Sequence, residues 1–68
     1  MAKTITIGNS GKGGWWFTVD GETHTGFDSE SNATDTAILF CQAQGWLYDI
    51  YYLAWSGSLG RMVTIPGN

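Results

Sequence analysis

The stretch WLYDIYYLAW, from Trp46 to Trp55, is the most apolar and most aromatic part of the chain. Aromatic residues are favoured on a pleated, half-buried surface, so this stretch predicts a long central β-strand. Alternation places Trp46, Tyr48, Ile50, Tyr52 and Ala54 on one face and Leu47, Asp49, Tyr51, Leu53 and Trp55 on the other. Neither face is polar. We therefore expect one face to pack against the core and the other to be covered by a second element, a partner or a second copy of the chain.

Four further strands and one helix are predicted around this strand. The other strands are expected at Lys3–Ile7, Trp15–Val19, Glu22–Phe27 and Arg61–Ile65, and the helix at Ala33–Gln44. Most connections between the strands are short, which favours a mostly antiparallel sheet with the helix on one face. The sequence thus predicts a single α+β domain over residues 1–68, ordered strand, strand, strand, helix, strand, strand.

Local signals fix the ends of several elements. Asp20-Gly21 predicts a type I′ hairpin turn, because both central residues of that turn need a positive φ. The strand that follows is polar, with His24 and Phe27 on opposite faces, and is expected at an edge of the sheet. Asn32 is the expected N-cap of the helix, and Gly45 is its expected left-handed C-cap.

The residues needed for catalysis or metal binding are not grouped in recognisable motifs. The glycine-rich segment GNSGKGG follows a strand, but it lacks the hydroxyl residue and the helix of a phosphate-binding loop. His24 has no partner at ligand spacing and is expected at the surface, whereas Cys41 lies in a helical apolar pattern and is expected in the core. A chain of 68 residues also leaves little room for both a core and a deep pocket. We expect a binding module, not an enzyme, without cofactor or metal.

The start of the chain, MAKTITIGNS, lacks the apolar segment of a secretory signal. No apolar run approaches the roughly 18 residues that a membrane-spanning helix needs. We therefore expect the protein to act in a cytoplasm.

The charges are distributed very unevenly along the chain. The basic residues are Lys3, Lys12 and Arg61, so no lysine or arginine lies between Gly13 and Gly60, and all six acidic residues fall inside that window. Five of them crowd together, at Asp20, Glu22, Asp28, Glu30 and Asp35. Carboxylates without local counter-charges repel nucleic acid and attract basic surfaces. This pattern favours a protein that occupies the basic, nucleic-acid-binding groove of another protein.

In its length, its β-rich sheet with one helix and its acidic span VDGETHTGFDSESNATD from Val19 to Asp35, the chain resembles the small phage-encoded anti-CRISPR inhibitors. Several members of that group act as DNA mimics, which keep target DNA from a Cas effector complex. The resemblance implies an inhibitor that acts in the host bacterial cytoplasm. Its partner contacts would be the five crowded acidic residues, with Asp49 less involved because its neighbours are apolar.

Two alternatives remain open. Four aromatic residues, Trp15, Trp16, Trp46 and Tyr48, are candidates for stacking a small nucleotide or another planar ligand, although the same residues also suit a core. Direct binding of nucleic acid is not expected, because three scattered basic residues make no positive groove. The second alternative is a homo-oligomer in which the second face of the sheet is buried against a copy of itself.

Overall fold

The computed structural model describes residues 2–67, which form an α+β fold with one five-stranded sheet and one helix. The elements are β1 (Lys3–Asn9), β2 (Trp15–Val19), β3 (Glu22–Phe27), α1 (Glu30–Gln44), β4 (Tyr48–Ser56) and β5 (Arg61–Pro66). The predicted fold class and element order are therefore confirmed. The central strand begins two residues later than predicted, because Trp46 and Leu47 belong to the connection from the helix.

The strands lie in the order β3-β2-β1-β4-β5, and the sheet is mixed. The prediction of a mostly antiparallel sheet was wrong, because β1 and β4, which meet at its centre, run parallel. The physical reason is the helix. β3 runs in the direction of β1, since each is antiparallel to β2, and α1 returns the chain so that β4 takes that same direction.

The β2–β3 hairpin has the predicted turn. Asp20 and Gly21 have φ values of 53° and 81°, the pair of positive angles that a type I′ turn requires. Both strands have the predicted bounds, and β3 lies at the edge of the sheet as predicted.

An irregularity in the β2–β3 pairing changes which face the end of β3 presents. Phe17 pairs with His24 and Trp15 pairs with Phe27, so β3 contains one more residue than β2 between these pairs. Gly26, with a φ of 89°, permits this bulge. His24 and Phe27 therefore share the helix-facing side of the sheet, whereas simple alternation had placed them on opposite faces.

The helix begins earlier than predicted. Its N-cap is Ser29, whose side chain accepts a hydrogen bond from the backbone N–H of Asn32 at 3.1 Å. Asn32 is thus inside the first turn, and Asp35 lies in the second turn, not in the first. The predicted C-cap is confirmed, because Gly45 has a φ of 75° and its N–H bonds to carbonyls of the last turn.

The core lies between α1 and the β1–β3 half of the sheet. It consists of seven buried residues: Ile5, Ile7, Phe17, Val19, Ala33, Ala37 and Cys41. The helix contributes three small side chains at a four-residue spacing, which allows its backbone to approach the sheet closely. The helix packs mainly on β1, β2 and β3, and within residues 2–67 no element covers the opposite face of the sheet.

Candidate functional site

The five crowded acidic residues are all exposed, and they form two groups along the chain, one before and one after the edge strand β3. Asp20 and Glu22 are at the β2–β3 turn. Asp28, Glu30 and Asp35 lie beyond the other end of β3, in the connection to the helix and in its first two turns. The six residues of β3 hold the two groups about 17 Å apart at the usual rise of a strand. The residues are contiguous in sequence but do not form one cluster.

The two groups differ in their counter-charges. Lys3 Nζ donates a hydrogen bond to Asp20 Oδ1 at 3.1 Å, so the charge of Asp20 is compensated. This ion pair is exposed and contributes at most about 1 kcal/mol to stability. Within residues 2–67, no basic side chain lies within 4.0 Å of the carboxylates of Asp28, Glu30 or Asp35. The negative field is therefore least compensated at the start of the helix. Asp49 is also exposed, but it lies on β4, outside both groups.

The side chain of His24 is 38% exposed at the edge of the sheet, and its ring also packs toward the helix. The ring stacks on Phe17 with centroids 4.7 Å apart, and it lies 5.4 Å from the ring of Phe40. Its Nε2 is 3.6 Å from a carboxylate oxygen of Glu22 and has no hydrogen-bond partner among the described residues. The regular pairing of His24 with Phe17 places the imidazole on the helix side, and the bulge beyond this pair brings Phe27 to the same side.

Cys41 is fully buried, which confirms its predicted place in the core. Burial raises the pKa of its thiol, so the nucleophilic thiolate is disfavoured at neutral pH. Within residues 2–67, no group of three or more histidine, cysteine or acidic side chains is arranged to hold a metal ion.

The four aromatic residues considered for stacking do not form a common platform. Trp15, Trp46 and Tyr48 pack against the core on the helix side, where Trp46 also meets Phe40 edge to face. Trp16 points to the opposite side of the sheet and lies over Gly8. A planar ligand could therefore contact Trp16 without reaching the other three residues.

The uncovered side of the sheet has two different halves. We call it the helix-free face and define it by the residues that pairing in register places there: Thr4, Thr6, Gly8, Trp16, Thr18, Thr23, Asp49, Tyr51, Leu53, Trp55, Met62, Thr64 and Pro66. At one corner, threonines of β1, β2 and β3, together with the ion-paired Lys3 and Asp20, line a shallow, open cleft of about 660 Å³. At the diagonal corner, Trp55 and Met62 pair across β4 and β5 and are 65% and 49% exposed.

Sequence reasoning identified this second face only in part. The alternation of β4 placed Tyr51, Leu53 and Trp55 on one face without indicating which face the helix covers, and the structure confirms that grouping. Met62 and the threonines were not recognised as parts of the same surface, because their contributions depend on strand order. The signal that was available is the alternation of threonine in β1, where Thr4 and Thr6 flank the buried Ile5.

The helix α1 has 15 residues and is neither long nor apolar enough to cross a membrane, and it is the one helix within residues 2–67. Comparison of the chain with protein-family models, with curated proteins and with solved structures gives no match in any of the three.

Proposed function

We propose that the protein is a non-enzymatic inhibitor that acts in a bacterial cytoplasm and occupies a basic, nucleic-acid-binding surface of another protein. The partner class that fits best is a Cas effector complex, as the resemblance to the phage-encoded anti-CRISPR proteins implies. The single observation that supports this proposal is that Glu22, Asp28, Glu30 and Asp35 are all exposed and that none has a lysine or arginine of residues 2–67 within 4.0 Å.

The charges of these carboxylates suit such a partner in two ways. Lysine and arginine side chains that hold phosphates in a nucleic-acid groove are matched by carboxylates on an inhibitor, through charge-assisted hydrogen bonds. The uncompensated field at the helix start also increases the rate of encounter with a basic surface, and this effect weakens as salt is added. Asp20 contributes less in this arrangement, because Lys3 already binds its carboxylate.

The distance between the two acidic groups sets a further requirement. Groups about 17 Å apart along β3 cannot both contact one small basic pocket, but they can contact an extended groove that holds a length of duplex. The proposed partner surface is therefore a groove in which basic residues are spread over at least that distance.

The test is a DNA-binding assay on a panel of purified CRISPR effector complexes with labelled target DNA. We expect the protein to reduce target binding by one complex, and we expect 0.5 M salt to relieve the inhibition. The quadruple variant Glu22→Gln/Asp28→Asn/Glu30→Gln/Asp35→Asn should weaken inhibition by about tenfold or more, because each exposed charge pair contributes up to about 1 kcal/mol.

The matched control compares two single substitutions of the same type. Asp28→Asn and Asp49→Asn each remove one exposed aspartate charge, but only the first removes it from one of the two acidic groups. We expect Asp28→Asn to weaken inhibition several-fold and Asp49→Asn to leave it unchanged. Equal effects of the two variants, or no inhibition of any complex, would contradict the proposal.

A further inference from the structure

We propose that the helix-free face is a dimer interface that binds a second copy of this chain. Charged side chains are scarce on this face. Of its thirteen residues, Asp49 alone is charged, and it lies at the beginning of β4 near one end of the face. Lys3 and Asp20 line the cleft at the same end, but they are ion-paired with each other. A two-fold interface here would therefore bring few like charges together.

The side chains that are present are those of interface cores. Aromatic residues and methionine are enriched at the centres of protein interfaces, and lysine and glutamate are depleted there. Trp16, Tyr51 and Leu53 are half-buried on this face, and Trp55 is 65% exposed although it is the largest type of side chain. A tryptophan that the fold leaves exposed beside a methionine is the strongest candidate for an interface anchor.

The size of the face is sufficient for a weak dimer. Five strands spaced about 4.8 Å apart and about six residues long give a projected area on the order of 500 Å² for each copy. Two copies would then bury about 1,000 Å² in total, which is near the lower limit for a specific interface. We therefore expect dissociation in the micromolar range and a mass that depends on concentration.

The shape of the face favours a second copy over other occupants. The cleft and the exposed pair Trp55 and Met62 occupy diagonal corners. A two-fold axis that lies in the plane of the face, perpendicular to the line joining these corners, places the exposed pair of each copy on the cleft of the other. The strands of the two sheets then cross at roughly a right angle, which is one of the two preferred geometries of sheet packing. Single-stranded nucleic acid is disfavoured, because the lysine at the edge of this face, Lys3, is already paired with Asp20.

The test is sedimentation velocity on the full chain from about 5 to 500 µM. We expect the average mass to rise with concentration from 7.4 kDa toward twice that value. Trp55→Ser/Met62→Ser should remain monomeric at every concentration. The control Leu39→Ser/Ile65→Ser removes side chains that are 65% and 48% exposed but lie on the helix and on the other side of the sheet, and it should dimerise like the unmodified chain.

A second variant tests the interface without removing apolar side chains, whose loss could also unfold the protein. Thr6→Lys places a like charge near the centre of the face in both copies, so it should also remain monomeric. Circular dichroism would show whether each variant is folded. A monomeric unmodified chain at 500 µM, equal loss of dimer in the control, or a mass above twice 7.4 kDa would overturn the proposal. Quenching of tryptophan fluorescence by oligothymidylate in a monomeric chain would assign the face to nucleic acid instead.

This inference goes beyond the proposed inhibitor function, and the two fail separately. The acidic variants Glu22→Gln, Asp28→Asn, Glu30→Gln and Asp35→Asn leave the helix-free face unchanged and should keep the dimer. Trp55→Ser/Met62→Ser leaves both acidic groups unchanged, so loss of the dimer alone would not remove inhibition of a partner.

Discussion

At the residue scale, the contact between Gly8 and Trp16 is the most restrictive on the helix-free face. The two residues are paired on β1 and β2, and the indole ring lies directly over the glycine. A Cβ at position 8 would overlap ring atoms of Trp16, whereas the space around Gly57 is open. The absence of a side chain at Gly8 is therefore required by packing, not by a special backbone angle.

We predict that Gly8→Ala destabilises the fold by about 1 to 3 kcal/mol, because the buried position cannot hold the added methyl group unless Trp16 moves. Urea denaturation followed by tryptophan fluorescence measures this change. Gly57→Ala is the matched control and should change the free energy of unfolding by less than about 0.5 kcal/mol. Similar losses in the two variants would show that overlap with the indole ring does not determine the effect.

Single residues were predictable where the local chemistry has one solution. Asp20-Gly21 specified its turn because few residue pairs accept two positive φ values, and Cys41 was placed in the core by helical spacing. Phe27 was placed on the wrong face, because a bulge between His24 and Phe27 shifts the end of β3 by one residue. Gly26 inside the strand is the one local sign of this shift.

At the scale of the elements, the start of α1 shows why helix ends are harder to predict than helices. Ser29 and Asn32 are both good capping residues and stand three positions apart, so the sequence offers two plausible starts. The structure uses Ser29, whose hydroxyl group accepts the N–H of Asn32 itself. The choice adds one turn to the helix and places Glu30 in the first turn, where its charge suits the helix dipole.

The two candidate caps give a direct prediction. Ser29→Ala should lower the free energy of unfolding by about 0.5 to 2 kcal/mol, because it removes the acceptor for a first-turn N–H. Asn32→Ala should change it by less than about 0.5 kcal/mol, since the Asn32 side chain is exposed inside the helix. Thermal and urea denaturation followed at 222 nm measure both variants. A larger loss for Asn32→Ala would move the helix start to that residue.

Alternation predicted the bounds of the strands well, but it did not predict which strands lie side by side in the sheet. β2 and β3 have the predicted bounds, since a hairpin turn and a glycine-rich segment delimit them. The parallel pairing of β1 and β4 could not be read from either strand, because the pattern of each strand gives its faces and not its partner. It follows only when the helix is known to return the chain across the sheet.

At the scale of the whole molecule, charge and apolar surface are largely separated. Five of the six acidic residues lie between the β2–β3 turn and the second turn of α1. Four of the six exposed large apolar side chains within residues 2–67 belong to β4, β5 and the turn between them: Trp55, Leu59, Met62 and Ile65. The sequence predicted the acidic set correctly as exposed but suggested a single cluster, because it cannot show that β3 separates Glu22 from Asp28. The sequence thus predicted which residues are candidates for the site but not how they are arranged in space.

The net charge of −3 gives a prediction for the molecule as a whole. Carboxylates without basic neighbours repel one another in the folded state, so raising NaCl from 10 to 150 mM should increase the free energy of unfolding by a few tenths of a kcal/mol. Urea denaturation at each salt concentration measures the change. The quadruple amide variant of Glu22, Asp28, Glu30 and Asp35 should lose this dependence. A stability that falls with salt would show that the Lys3–Asp20 pair outweighs the repulsion.

The parallel ladder at the centre of the sheet has a consequence for how the chain reaches this structure. Residues 3–7 pair with residues 48–52, which the ribosome adds about two to nine seconds after residues 3–7. Until then, the edge of β1 that will pair with β4 has no partner strand. Contacts between residues distant in sequence slow folding. During synthesis the nascent chain should therefore expose the unpaired edge of β1, to which another chain could pair, for longer than a hairpin of neighbouring strands would.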